Sequence, residues 1–320
     1  MAKKSNLTPQ EVKPLLVGIN NIQFTPFKSA TEIDEEALRV NTRFMIENGI
    51  VTGRGIQVIG GSNGEGFSLT MEEYKRLIDV VVEEATGRVP ICVGCVRPVT
   101  EPVIRIAEYA EEAGADCIMV LAPHYYPNCR PDVVYAHFKA IADATRIGIM
   151  VYNNPTVTGQ DLSMDLLCRL AEIENIVAIK ECTSSMAKLR EVIYRLKDRF
   201  AIIPNATRYL MPFDYQLGAV GFITIYGNID PAYALEMHDV CTRGDLKRAQ
   251  EMWAKALALS NFLYMGGLDR LTALGKEMAR MAGRPMGSYE RLPIRKVSEE
   301  DRMQLRQLMS QAGMALATTG

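Results

Sequence analysis

The chain has 320 residues, 48% of them hydrophobic and 23% charged, a balance that can bury a large core and matches an ordinary globular protein. A formal net charge of -2 and a pI near 6.0 exclude a broadly basic surface for nucleic acid or an anionic membrane. No apolar run reaches the roughly 18 residues of a membrane span, and residues 1–6 lack the apolar stretch of a secretory signal, so a cytoplasmic protein is expected.

Residues 1–14 read as a polar, loosely held tail. A regular pattern then begins. Residues 17–25 read as a strand, and 33–48 as an amphipathic helix opened by Thr31, Asp34 and Glu35 and closed at Gly49. Residues 55–59 form the next strand, followed by a glycine-rich turn and a helix over 71–85, with Thr70 as its cap and Glu73 at the capping-box position. Strands at 89–94, 116–122, 147–152, 176–180, 200–204 and 219–225 are each followed by a helical pattern, at 101–113, 132–144, 163–173, 185–197, 207–216 and 230–242.

Strands this apolar have no wet face, which implies a parallel sheet covered by helices. A doubly wound open sheet would also satisfy the alternation, but the count of eight units favours a closed (β/α)8 TIM barrel over 15–243. From 244 to 320 the strands stop. Three helical patterns, at 244–263, 268–283 and 298–313, make a helical appendage on an α/β barrel.

In such a barrel, chemistry belongs at the carboxyl ends of the strands. There the second strand runs into Gly60, Gly61, Ser62, Asn63, Gly64 and Glu65, the fourth into His124, Tyr125 and Tyr126, and the fifth into Tyr152, Asn153, Asn154 and Pro155. The sixth ends in Lys180, the seventh in Asn205 and the eighth in Thr224. A lysine at the end of an apolar strand is either a snorkelling surface residue or a desolvated nucleophile, and placement in a barrel mouth among hydroxyls favours the nucleophile. The seven cysteines read as reduced thiols. Cys92 and Cys95 match C-x-x-C, but in a strand they face opposite sides and no second pair completes a zinc site. His124, His137 and His238 lack metal-ligand spacing, so no metal is expected.

The segments 61–65 (Gly-Ser-Asn-Gly-Glu), 152–159 (Tyr-Asn-Asn-Pro-Thr-Val-Thr-Gly), 178–181 (Ala-Ile-Lys-Glu) and 218–221 (Gly-Ala-Val-Gly) resemble the signatures of the dihydrodipicolinate synthase / N-acetylneuraminate lyase family of class I pyruvate aldolases. The likeness spans roughly residues 15–295. It implies a Schiff-base-forming lyase that makes or cleaves a carbon-carbon bond next to pyruvate, with an aldehyde as second partner and a homotetramer as the usual assembly. Lys180 matches the imine-forming lysine and Tyr152 the acid/base tyrosine. A phenol is a poor base near neutrality, and Ser62 and Tyr125 match the hydroxyl and second tyrosine of its relay, Tyr125 at a subunit contact. The N–H groups of Ser62 and Asn63 would hold the keto acid's carboxylate, helped by Gly61 and Gly64, which let the backbone approach it. Asn205 and Ile223 would line the site through their backbones. No organic cofactor is implied, because the imine is the electron sink.

The chain also departs from the family's commonest form. Asn63 replaces the second hydroxyl of the glycine-rich turn, and Val157 stands where synthases acting on aspartate semialdehyde carry an arginine. A 2-keto-3-deoxy sugar acid or related aldol is therefore the expected substrate. The alternatives are 4-hydroxy-tetrahydrodipicolinate synthase, a sugar-acid dehydratase using the same imine, and a keto-acid-binding protein without catalysis. Arg97 reads as solvated or, less simply, as the partner of a substrate carboxylate. Residues 60–64 also fit G-x-S-x-G, the nucleophile elbow of serine hydrolases, yet the triad histidine is lacking because His238 falls inside a helical pattern.

Overall fold

The structure, a computed structural model, describes residues 7–205 and 211–317. Eight strands form one parallel sheet: β1 (Gly18–Ile22), β4 (Gly55–Ile59), β5 (Ile91–Cys95), β6 (Cys117–Leu121), β7 (Gly148–Asn153), β8 (Ile176–Glu181), β9 (Ala201–Pro204) and β10 (Gly221–Thr224). β1 pairs with both β4 and β10, and the Val220 N–H reaches the Ile202 carbonyl at 3.0 Å, so the sheet closes into the expected (β/α)8 barrel. The hairpin of β2 (Phe27–Ser29) and β3 (Glu32–Ile33) was not expected from the sequence, where it is too short to show alternation.

Side-chain alternation divides the core in two. Ile56, Val58, Met119, Leu121, Met150, Tyr152, Ala178 and Ile203 share the cluster inside the barrel, while Val93, Ile118, Val120, Ile149, Val151, Ile179 and Ile202 pack outward against the helices. Cys92 falls in the inner cluster and Cys95 in the outer, as a strand requires. The helix Met71–Ala85 carries the Thr70/Glu73 capping box read from the sequence. The helix expected over 207–216 is present as Met211–Leu217, its first four positions lying outside the described residues.

The polar start departs from expectation. Thr8 caps a short helix, Pro9–Val12, through a capping box with Glu11, Gln10 bonds the Glu174 carbonyl at 3.0 Å, and Val12 and Leu16 are buried against the barrel. Burial of those two side chains ties down a segment whose composition alone suggested a loose tail. The C-terminal helices Leu246–Tyr264, Leu268–Met281 and Glu299–Ala312 put Leu263, Leu274, Met278 and Met309 into the same cluster as Ile22 and Ile225, so they pack beside the carboxyl ends of β1 and β10.

Candidate active site

Tyr152 and Lys180 are register partners on β7 and β8. The register shifts at the start of this pair: Ile149 matches Ile176, whereas Met150 matches Ala178, which leaves Val177 as an extra residue. That bulge puts Ala178 and Lys180 in phase with Met150 and Tyr152 on the inner face, since slipping by one residue would exchange the faces. Lys180 is only 1% exposed and Tyr152 3%, and the lysine Nζ sits 3.8 Å from the centroid of the tyrosine ring. The Tyr152 hydroxyl accepts a 2.8 Å hydrogen bond from Asn154 Nδ2.

The outer face of the same strand ends carries a second, buried polar group of residues. Glu181 accepts from Asn153 Nδ2 at 2.8 and 3.0 Å and from the Thr183 N–H at 2.7 Å. Burial pushes its carboxyl up to about 7, against the opposing pull of those donors. Asn153 also donates to Asp161 at 2.7 Å, and Asp161 is bonded to Lys188 and Thr183. Burial would raise Asp161, but the hydrogen bonds from Lys188, Asn153 and Thr183 outweigh it and hold its carboxyl low. These contacts pin the turn that follows Tyr152 to the turn that follows Lys180.

At the end of β4, Ser62 Oγ and Asn63 Nδ2 are both buried without a hydrogen-bond partner among the described residues. Gly64 is fixed by packing, because a Cβ there would stand 2.8 Å from the Gln23 carbonyl, whereas at Gly61 it would meet only ordinary contacts at 3.5 Å from Ile22 and Met119. Asn205 follows β9, its N–H bonded to the Glu181 carbonyl at 2.9 Å, and Ile223 lies in β10 against the inner cluster. Val157 sits in the short helix Pro155–Thr158 and also packs on that cluster.

One expectation changes, that for Arg97. Tyr125 is not bonded to Tyr152 or Ser62 within the chain: it is 72% exposed, edge-on to Tyr126 with ring centroids 5.0 Å apart. Arg97 is half-buried and its guanidinium is engaged rather than free. Its guanidinium bonds the carbonyls of Gly66 at 2.6 Å, Val96 at 3.0 Å and Leu69, and lies 4.7 Å from the centre of the Tyr74 ring, so it clamps the turn after β4. The helical placement of His238 holds; it lies within Pro231–Arg243 and shares a 2.9 Å hydrogen bond with the Tyr215 hydroxyl. No cluster of three or more His, Cys, Asp or Glu side chains suited to a metal occurs among the described residues, and no described helix is long and apolar enough to cross a membrane.

Asn154, Glu181 and Asp161 were missed by sequence reasoning. The signal available was adjacency, since Asn154 and Glu181 lie within two residues of the tyrosine and lysine, but their partners depend on strand register.

A family model described as the dihydrodipicolinate synthetase family matches residues 16–312. The chain belongs to that family. It is 34% identical over 290 residues to a 4-hydroxy-tetrahydrodipicolinate synthase of Syntrophus aciditrophicus, covering 91% of this chain and 96% of that protein. The crystal structure of dihydrodipicolinate synthase from Aquifex aeolicus superposes with a TM-score of 0.85 at 30% identity, covering 95% of this chain and all of the other. YagE, a prophage protein of the same family from E. coli K12 in complex with pyruvate, gives a TM-score of 0.85 at 26% identity, with 94% and 100% covered. As a member of the dihydrodipicolinate synthetase family the chain is a class I pyruvate-dependent lyase acting on carbon-carbon bonds.

Proposed function

We propose that this lyase forms an imine between Lys180 and a 2-keto acid of the pyruvate type, and that its second partner is a neutral aldehyde, as in aldols of the 2-keto-3-deoxy sugar acid class. The observation that carries the reading is a buried lysine facing Tyr152 inside the barrel. In the cleavage direction the neutral Lys180 amine adds to the C2 carbonyl, and the carbinolamine oxygen leaves as water after taking a proton from Tyr152. The C3–C4 bond then breaks. Its electron pair passes into the protonated imine to give an enamine, while the C4 hydroxyl proton goes to the Tyr152 oxygen and the aldehyde departs. Tyr152 passes that proton on to the enamine carbon, water adds to the resulting imine with its proton returning to Tyr152, and collapse of the carbinolamine releases pyruvate and the neutral lysine.

The unpartnered donors at Ser62 and Asn63 suit the keto acid's carboxylate, and the pyruvate complex of YagE supports that class of ligand. No metal or organic cofactor enters these steps. The exposure of Tyr125 supports a homotetramer in which it reaches a neighbouring subunit's site, as the family resemblance implies.

The named relatives favour a second reading, condensation of pyruvate with aspartate semialdehyde. Two observations weigh against it. Val157 presents an apolar wall, and Arg97 is committed to three carbonyls and a ring. Without a cation, the carboxylate of aspartate semialdehyde forgoes a charge-assisted hydrogen bond of about 1.5–3 kcal/mol, roughly ten- to a hundredfold in specificity. Steady-state assays of both reactions decide between the readings. The neutral aldehyde or its aldol is expected to be used at least tenfold better, and a kcat/KM of about 10⁴ M⁻¹s⁻¹ or more with aspartate semialdehyde overturns this choice.

A further inference from the structure

Among the described residues the Tyr152 hydroxyl has one hydrogen-bond partner, and it is an amide. Asn154 Nδ2 donates to it at 2.8 Å, both residues being buried. The amide springs from a rigid backbone. Pro155 keeps Asn154 out of the helical region, at φ -138° and ψ 89°, and the Asn154 carbonyl accepts from the Val157 N–H, the Thr158 N–H and the Thr158 hydroxyl, each at 3.0 Å. Ser62, the hydroxyl expected to feed a relay, has a buried Oγ that bonds no described residue.

A phenol carries one hydrogen. With an N–H directed at its lone pair, that hydrogen is turned away from Asn154 and toward the other atoms around the oxygen. Once the proton has left, the same N–H stabilises the phenolate, because a hydrogen bond to the charged form favours it. Lys180 is the charged group facing the ring from β8, Leu121 is its register partner on β6, and Glu181 lies on the outer face of β8.

We infer that Asn154 is a positioning residue for proton transfer, fixing the Tyr152 hydroxyl and stabilising its deprotonated form. The inference rests on the reading of Tyr152 as the acid/base, so its test contains a control for that reading.

The experiment compares wild type with Asn154→Val, which fills similar space without a hydrogen bond, and with Asn154→Asp, which keeps the shape but offers the phenol an acceptor. Each is made with and without Tyr152→Phe, and each is assayed for the pH profile of kcat/KM in aldol cleavage and for borohydride trapping of pyruvate. Both Asn154 variants are expected to fold, to lose on the order of tenfold or more in kcat, the scale on which positioned proton transfer acts, and to move the alkaline limb to higher pH, further for Asp than for Val. In the Tyr152→Phe background the Asn154 effect should vanish. An unmoved limb, an equal loss in both backgrounds, or an Asp variant that outperforms Val overturns the inference while trapping on Lys180 leaves the main reading standing. Wild type that is not trapped on Lys180 overturns both.

Discussion

Glu65 and Lys276 form an ion pair with neither side chain exposed to solvent, joining the last residue of the glycine-rich turn to the C-terminal helix Leu268–Met281. The pair does not stand alone. Lys276 also reaches Glu290 at 3.1 Å and lies 4.8 Å from the centre of the Phe27 ring, and Glu290 is bonded by Arg280. Burial pushes the Glu65 carboxyl up and the ammonium of Lys276 opposes it. The arrangement holds Glu65 at φ 56°, a left-handed conformation that costs a non-glycine residue roughly 1 kcal/mol or more. The C-terminal helices thereby fix the turn that carries Ser62 and Asn63.

Removing one partner strands the other charge in the core. Lys276→Met should therefore destabilise the fold by about 3–5 kcal/mol, whereas Glu65→Gln combined with Lys276→Met should recover much of the loss. Denaturant unfolding of the two single variants and the double variant measures the coupling; additive losses would contradict a mutually compensating pair.

Glu181 makes a pH prediction whose sign is fixed. Its carboxyl, raised to about 7 in the fold against about 4.5 for a free glutamate, keeps a proton that the unfolded chain has already lost over that interval. Its contribution to stability is complete below about pH 4.5, falls as pH rises towards 7 and is flat above. Wild type should lose more stability than Glu181→Gln between pH 5 and pH 8 in matched thermal or denaturant unfolding. Parallel curves for the two proteins would show that Glu181 titrates normally.

The barrel was legible because its strands are apolar on both faces and its helices carry ordinary caps, such as Thr70 with Glu73. Lys180 was legible for the same reason, as an amine where only apolar side chains were expected. What stayed hidden depends on neighbours remote in sequence or on atoms that spacing cannot place. The bulge at Val177, the clamp of Arg97 on the carbonyls of Gly66 and Leu69, and the pairing of Glu65 with Lys276 each arise from tertiary packing. Tyr125 is a different case: its matching motif implies a role in the relay, while the single chain leaves it at the surface.

The two tyrosines should separate cleanly. Tyr152→Phe removes one oxygen from a buried ring and should preserve the fold while lowering kcat on the order of 10² or more. Tyr125→Phe, at an exposed ring, should cost less, and its effect should shrink where the wild type is diluted to monomer. Comparing kcat for both variants across enzyme concentrations checks the assignment, and near-wild-type turnover by Tyr152→Phe would remove Tyr152 from the chemistry.

The central claim is that the amine of Lys180 becomes covalently joined to the keto acid, and peptide mass spectrometry after borohydride reduction with pyruvate tests it most directly. One reduced pyruvyl increment per chain, confined to the peptide bearing Lys180 and absent from Lys180→Ala, is the predicted result. An increment on a different lysine, or one that persists undiminished in Lys180→Ala, would contradict it.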